Sequence, residues 1–250
     1  MINKIKLDDG INERGFFSVV LQLISIKVRY PNVPFFIDLT NWSIYQNNKN
    51  DNVWEYYFEQ FYDNFETDLK IDNQGSFVNY QERFISLPKI RKGIKDLKIK
   101  SHILDKISQF DGFYENKKVL GIHKRGTDSD EHRKSLTIDE YFEKVDKVVN
   151  NYDLIYICSD EQHSVDKFKE KYKDKIFCYD ESFRSRDKKP IHKPGCYPEC
   201  NNYKKGEDVL IDAILLSKCN QLMISDSNVA FFSIYNNNNK FTFVDNTVVR

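Results

Sequence analysis

The sequence predicts an α/β protein built on a parallel sheet, and three observations carry that reading. From about residue 118 onward, short apolar runs of strand length alternate with stretches of helical periodicity. The runs "KVLGIHK", "LIYICSD", "KIFCYD", "QLMIS" and "FTFVD" have the apolar content of buried strands. Between the first two stands Thr137-Ile138-Asp139-Glu140, a capping box that opens a helix. Strand and helix alternate through five strands, which implies a parallel sheet covered on both faces, the Rossmann-like arrangement.

The helix after the capping box has its apolar face on Ile138, Tyr141, Phe142, Val145, Val148 and Val149. A second helix is expected from Glu161 to Lys173, with Val165, Phe168 and Tyr172 on one side. After the third strand the rhythm breaks: Glu181 to Gly206 reads as one long loop holding three prolines, and loops of that length in compact domains are usually functional or mobile. The rhythm resumes with the helix "EDVLIDAILLSKC", in which Glu207 and Asp208 read as first-turn residues favoured by the helix dipole. A short helix from Asn228 to Tyr235 separates the last two strands.

Upstream, a strand at Ile5 to Leu7, a helix from Phe16 to Arg29, the strand "PFFID", the aromatic stretch "NVWEYYFEQFY" and a helical segment near Ile94 to Phe110 suggest a smaller α/β domain with two visible strands. The expected division is residues 1–110 and 111–250.

Composition narrows the function classes. In 250 residues, 38 basic side chains balance 38 acidic ones, which leaves no broad cationic footprint for a nucleic-acid partner. The apolar stretch from Gly15 to Ile26 is too short for a membrane span and lacks the basic lead and small-residue exit of a signal peptide. The five cysteines are an odd set, with three in or beside apolar patterns, as expected of reduced thiols in a cytoplasmic protein.

In an open parallel sheet, ligands sit beyond the carboxyl ends of the strands. The first of the five strands ends in His123, Arg125, Gly126, Thr127 and Asp128; the second in Ser159, Asp160 and Glu161; the fourth in Ser225, Asp226, Ser227 and Asn228. The forked guanidinium of Arg125 suits a diphosphate, Gly126 permits close backbone approach, and Ser227-Asn228 stands at a helix N-terminus that attracts anions. This describes a phosphate-binding crevice. The same residues allow a structural reading, with Arg125 paired to Asp128 and His123 as a hydrogen-bonded core residue. Neither a glycine-rich dinucleotide fingerprint nor a Gly-Lys-Ser/Thr phosphate loop is present, so nicotinamide enzymes and ATPases lose ground. His192, Cys196 and Cys200 are spaced along one loop without an obvious fourth ligand, and no metal is assigned. Arg184 and Arg186 in that loop read either as solvated or as able to close over a diphosphate.

"GIHKRGTD" resembles the His-x-Arg-Arg/Gly-Thr-Asp motif of fucosyltransferases of the two-domain type, the group of α-1,6-fucosyltransferases, the nodulation enzyme and protein O-fucosyltransferases. "YICSDE", "RSRDKKPIH", "GEDVLIDAILLSKC" and "MISDSNVAFFS" follow in that group's order, and "GFFSVVLQL" with "NVWEYYFE" resembles its N-terminal half. The resemblance implies a GT-B-like fold of two Rossmann-like domains and inverting transfer of fucose from GDP-fucose to a glycan or glycoprotein acceptor. It implies no cofactor beyond that donor and no catalytic metal. Carried onto this sequence, Arg125 holds the β-phosphate and stabilises the leaving group. Ser227 and Asn228 add phosphate contacts, His123 with Asp212 meets the guanine, and Asp160 lies near the nucleoside. Ser129 stands where many relatives carry lysine; Asp130 and Glu131 occupy the neighbourhood of the general base. The alternative is a degenerate member that binds a nucleotide sugar or glycan without turnover.

Overall fold

The computed structural model describes residues 3–7, 9–62, 67–70, 87–127, 136–193, 195–237 and 240–243. The chain forms two compact units, one from residues 1–104 with 192–207, the other from residues 105–191 with 208–250.

The first unit holds three parallel strands, β1 (Asn3–Lys6), β2 (Phe35–Asp38) and β3 (Thr67–Lys70), in the order β2-β1-β3. Ile5 of the central strand lies opposite Ile37 and Leu69. Helix α1 (Phe16–Arg29) buries Phe16, Phe17, Val19, Val20, Leu23 and Ile24, the apolar side that its sequence period announces. An aromatic core forms around Phe16, whose ring meets those of Phe17, Trp42, Tyr45 and Tyr57 at centroid distances of 5.2, 5.8, 5.6 and 5.0 Å. Tyr57 belongs to the one-turn helix α2 (Trp54–Tyr57), and α3 (Leu87–Lys95) packs on α1, with Gly93 against Val28 and Ile24.

The loop division differs from expectation because this aromatic core captures the end of the loop. Tyr57 stacks on Tyr203 at 5.5 Å and donates from its hydroxyl to the Tyr203 carbonyl at 2.7 Å. Asn202 donates to the Gln46 carbonyl, and the Tyr203 amide to Asn47 Oδ1. Residues 192–207 therefore belong with the first unit.

Helix α4 (Ser101–Ser108) carries the chain from the first unit to the second, where α5 (Asp111–Tyr114) leads into β4 (Val119–Lys124). Then come α6 (Ile138–Asp146), β5 (Leu154–Ser159), α7 (Gln162–Tyr172) and β6 (Ile176–Phe177). They are followed by α8 (Asn202–Ser217), β7 (Gln221–Ile224), α9 (Asn228–Asn236) and β8 (Lys240–Phe243). The five strands pair in parallel in the order β6-β5-β4-β7-β8. All six residues of β4 are buried. Leu120 and Ile122 join Tyr141, Val145, Ile155, Ile157, Val165 and Phe168 in one core cluster. Alternation along the strand sends Gly121 and His123 to the other face, where a Cβ on Gly121 would lie 2.8 Å from Leu216 and from Cys219.

The capping box at α6 is present in full: Glu140 N donates to Thr137 Oγ1 and Thr137 N to Glu140 Oε2. Helix α8 starts at Asn202, so Glu207 and Asp208 sit beyond its first turn, and both are buried. Among the described residues no helix is long and apolar enough to cross a membrane.

Candidate functional site

The strand order places a topological switch point between β4 and β7: the chain leaves β4 toward β5 on one side and leaves β7 toward β8 on the other. A crevice opens at the carboxyl ends of such a pair. The two ends are His123-Lys124-Arg125-Gly126-Thr127 and Ser225-Asp226-Ser227-Asn228. The fold thus brings together the two clusters that the sequence separates by about a hundred residues, a convergence that parallel crossover connections produce.

His123 is the penultimate residue of β4 and is buried in the second unit. Its Nε2 is 3.4 Å from Ser227 Oγ, while its Nδ1 is buried with no hydrogen-bond partner. Burial first, then the charges of Arg125 and Lys124, push its pKa down to about 3, so the ring is neutral. A buried orphan nitrogen at a crevice is the kind of group a ligand completes. Ser227 is the N-cap of α9 and accepts from Ala230 N at 3.1 Å, leaving Asn228 and Val229 as the first amides of that helix.

Arg125 is half-buried and its main-chain N–H donates to Ser225 Oγ at 3.0 Å. Ser225 in turn donates to the His123 carbonyl and shares a hydrogen bond of 2.8 Å with the buried Tyr141 hydroxyl. Tyr141 reads in the sequence as an apolar helix-face residue; only the fold shows that its hydroxyl closes this network. Gly126 N donates to Asp160 Oδ1 at 2.8 Å and Thr127 Oγ1 to Asp160 Oδ2 at 2.7 Å. A side chain on Gly126 would bring a Cβ within 2.6 Å of Glu161 Cβ, which is the close approach that requires glycine there. Glu161 is 3.5 Å from Lys124 Nζ and accepts from Ser164 at 2.5 Å. Burial works to raise its pKa, but the Ser164 hydroxyl and the Lys124 charge outweigh it and the carboxyl is lowered. Asp128, Asp130 and Glu131 lie outside the described residues.

Asp212 is buried on α8, accepting from Tyr156 Oη at 2.5 Å and from Ser182 Oγ at 3.0 Å. Burial raises its pKa to about 6 against the opposing charge of Arg184. Arg184 is buried, unlike either sequence reading: its guanidinium donates to the Tyr179 carbonyl at 2.6 Å and to that of Ser182 at 3.3 Å. Buried carboxylates on α8 draw the loop inward, Asp208 accepting from Phe183 N at 2.8 Å. Arg186 is exposed. Among the described residues, no three of His, Cys, Asp and Glu converge on a metal position.

No protein-family model matches the sequence, and no curated protein matches it. Solved structures do. The structure of NodZ α-1,6-fucosyltransferase soaked with GDP-fucose superposes with a TM-score of 0.60 at 16% identity, covering 94% of this chain and 92% of that one. The same enzyme co-crystallised with GDP gives 0.58 at 15%, over 94% and 91%. NodZ from Bradyrhizobium in selenomethionine form gives 0.60 at 14%, over 94% and 90%. The fold is GT-B-like. At these identities the likeness speaks for the architecture, and it extends through both units.

Proposed function

We propose that this chain is a glycosyltransferase that moves L-fucose from GDP-fucose to a hydroxyl of a glycan or glycoprotein, with inversion at the anomeric carbon. The observation that carries this reading is the crevice at the β4/β7 switch point. There a half-buried arginine, an orphan histidine nitrogen and the N-terminus of α9 meet in a fold similar to that of an enzyme whose crystal was soaked with GDP-fucose.

In this reading Arg125 meets the β-phosphate, where negative charge grows as the glycosidic bond breaks, and Ser227 with the Asn228 amide adds donors from the helix end. His123 offers Nδ1 to the guanine, and Asp212 retains a lone pair on each oxygen beyond those that Tyr156 and Ser182 occupy. Asp130 or Glu131 takes the proton of the acceptor hydroxyl. Charge neutralisation by arginine and helix amides makes transfer independent of a divalent metal. A cytoplasmic location belongs to the same proposal, supported by the odd set of five cysteines, most of them buried.

The test is transfer from GDP-fucose across a panel of glycans, with and without EDTA, following GDP release and the anomeric configuration of the product. A fucosylated product of inverted configuration, formed equally in EDTA, is expected. GDP binding without transfer or hydrolysis would leave a nucleotide-sugar-binding protein, and loss of activity restored by Mg²⁺ would overturn the metal-free mechanism.

A further inference from the structure

We propose that Asp160 is the positioning residue that aims Arg125, acting through the turn and touching no substrate. The proposal rests on the reading of Arg125 as the group that meets the diphosphate.

Three consecutive amides leave β4 at this point, and side chains from the two flanking strand ends hold all of them. Arg125 N–H goes to Ser225 Oγ beyond β7 at 3.0 Å. Gly126 N–H goes to Asp160 Oδ1 at 2.8 Å, and Thr127 N–H to Asp160 Oδ2 at 3.4 Å, both beyond β5. The Thr127 hydroxyl adds a third contact to the same carboxylate at 2.7 Å. Register explains the reach: Lys124 lies opposite Ser159, so the turn runs out of the sheet beside Asp160 and Glu161. The missing side chain of Gly126 lets it lie against Glu161.

Asp160 is itself braced. Its carbonyl accepts from Ser185 N at 2.8 Å, and Gln162 N donates to the Ser185 carbonyl at 2.9 Å, so the loop after β6 forms a short parallel bridge with Glu161. Phe183 N–H and Ser182 Oγ fix that loop to Asp208 and Asp212 on α8. Asp160 thus stands between a braced loop and the turn that carries Arg125, with three donors already on its carboxylate. Stabilising a developing charge depends on a cation held in place before the reaction, so loosening the turn weakens the transition state more than the bound donor.

The experiment compares Asp160→Asn, Thr127→Val, Thr127→Ser and Arg125→Lys, singly and with Asp160→Asn in the Arg125→Lys background. Asp160→Asn is expected to lower kcat about tenfold or more, as removal of a charged hydrogen-bond acceptor does, with a smaller change in KM for GDP-fucose. Thr127→Val should show a lesser loss that Thr127→Ser restores. In the Arg125→Lys background Asp160→Asn should cost almost nothing further, because both act through one group. Full additivity of the pair, or unchanged kcat in both Asp160→Asn and Thr127→Val, would overturn the proposal. Hydrogen exchange at the Gly126 and Thr127 amides should accelerate in Asp160→Asn whatever the activity. Should the wild type neither transfer nor hydrolyse, the function reading falls alone, and the same cycle is read on GDP affinity. Should Asp160→Asn fail to fold, the Thr127 pair decides.

Discussion

At the scale of residues, Arg125 and the buried titratable groups His123 and Asp212 make separable predictions. Arg125→Lys keeps the charge and loses the planar fork, so turnover should fall by about a hundredfold, with a smaller loss of GDP affinity and an unchanged melting temperature. Near-normal turnover, or unfolding in place of inactivity, would make Arg125 structural. His123 and Asp212 bend the pH dependence of stability in opposite directions. Burial lowers His123 from 6.5 to about 3, so its contribution is complete above pH 6.5 and is lost as pH falls toward 3. Burial raises Asp212 from 3.8 to about 6, so its contribution is complete below 3.8 and is lost as pH rises through 6. Asp212→Asn stays neutral throughout and should therefore gain stability relative to the wild type as pH rises from 3.8 through about 6, measured by urea unfolding. A difference that does not move with pH would remove Asp212 as the titrating group.

At the scale of elements, β4 is the piece on which the site depends, and its tolerance is set by what covers each face. Leu120 and Ile122 pack toward α6 and α7, while Gly121 lies under the end of α8, with Leu216, Leu222 and Cys219 each 2.8 Å from where a Cβ would be. Gly121→Ala should therefore destabilise by about 1–3 kcal/mol through overpacking. The strain falls two residues before His123, so GDP affinity should drop in the same variant; calorimetry and a denaturant titration on one preparation would show whether the two losses travel together.

At the scale of the molecule, a ligand that binds the folded chain alone raises its stability by mass action, by about 2.7 kcal/mol at a hundredfold excess over Kd. GDP should raise the melting temperature on that scale, and UDP and NAD much less. Equal shifts with all three would dismiss the guanine assignment while leaving the phosphate crevice. GDP is the informative probe of the proposed function, and the parallel sheet of the second unit has the strand order 3-2-1-4-5 on which nucleotide crevices form.

Local order is what the amino-acid sequence determined by itself. Helix α1 runs over the residues its periodicity marks, the Thr137 capping box opens α6, and four of the five apolar runs place the strands of the second sheet to within a residue or two. Each is governed by neighbours a few positions apart, which a linear reading samples directly. Strand β3, with the sequence TDLK, escaped because a single leucine among charges carries no period-two signal. Long-range convergence is what only the tertiary structure decided. Residues 192–207 join the first unit because Tyr203 stacks on Tyr57 across 146 positions of chain. Arg184 turns inward because carboxylates on α8 await its loop. Asp160 points at the Gly126-Thr127 turn, and not at open solvent, because β5 lies in register beside β4. A strand end rich in polar residues announces a site, but the direction of each side chain is set by the element packed next to it, and that pairing is written in no local stretch of sequence.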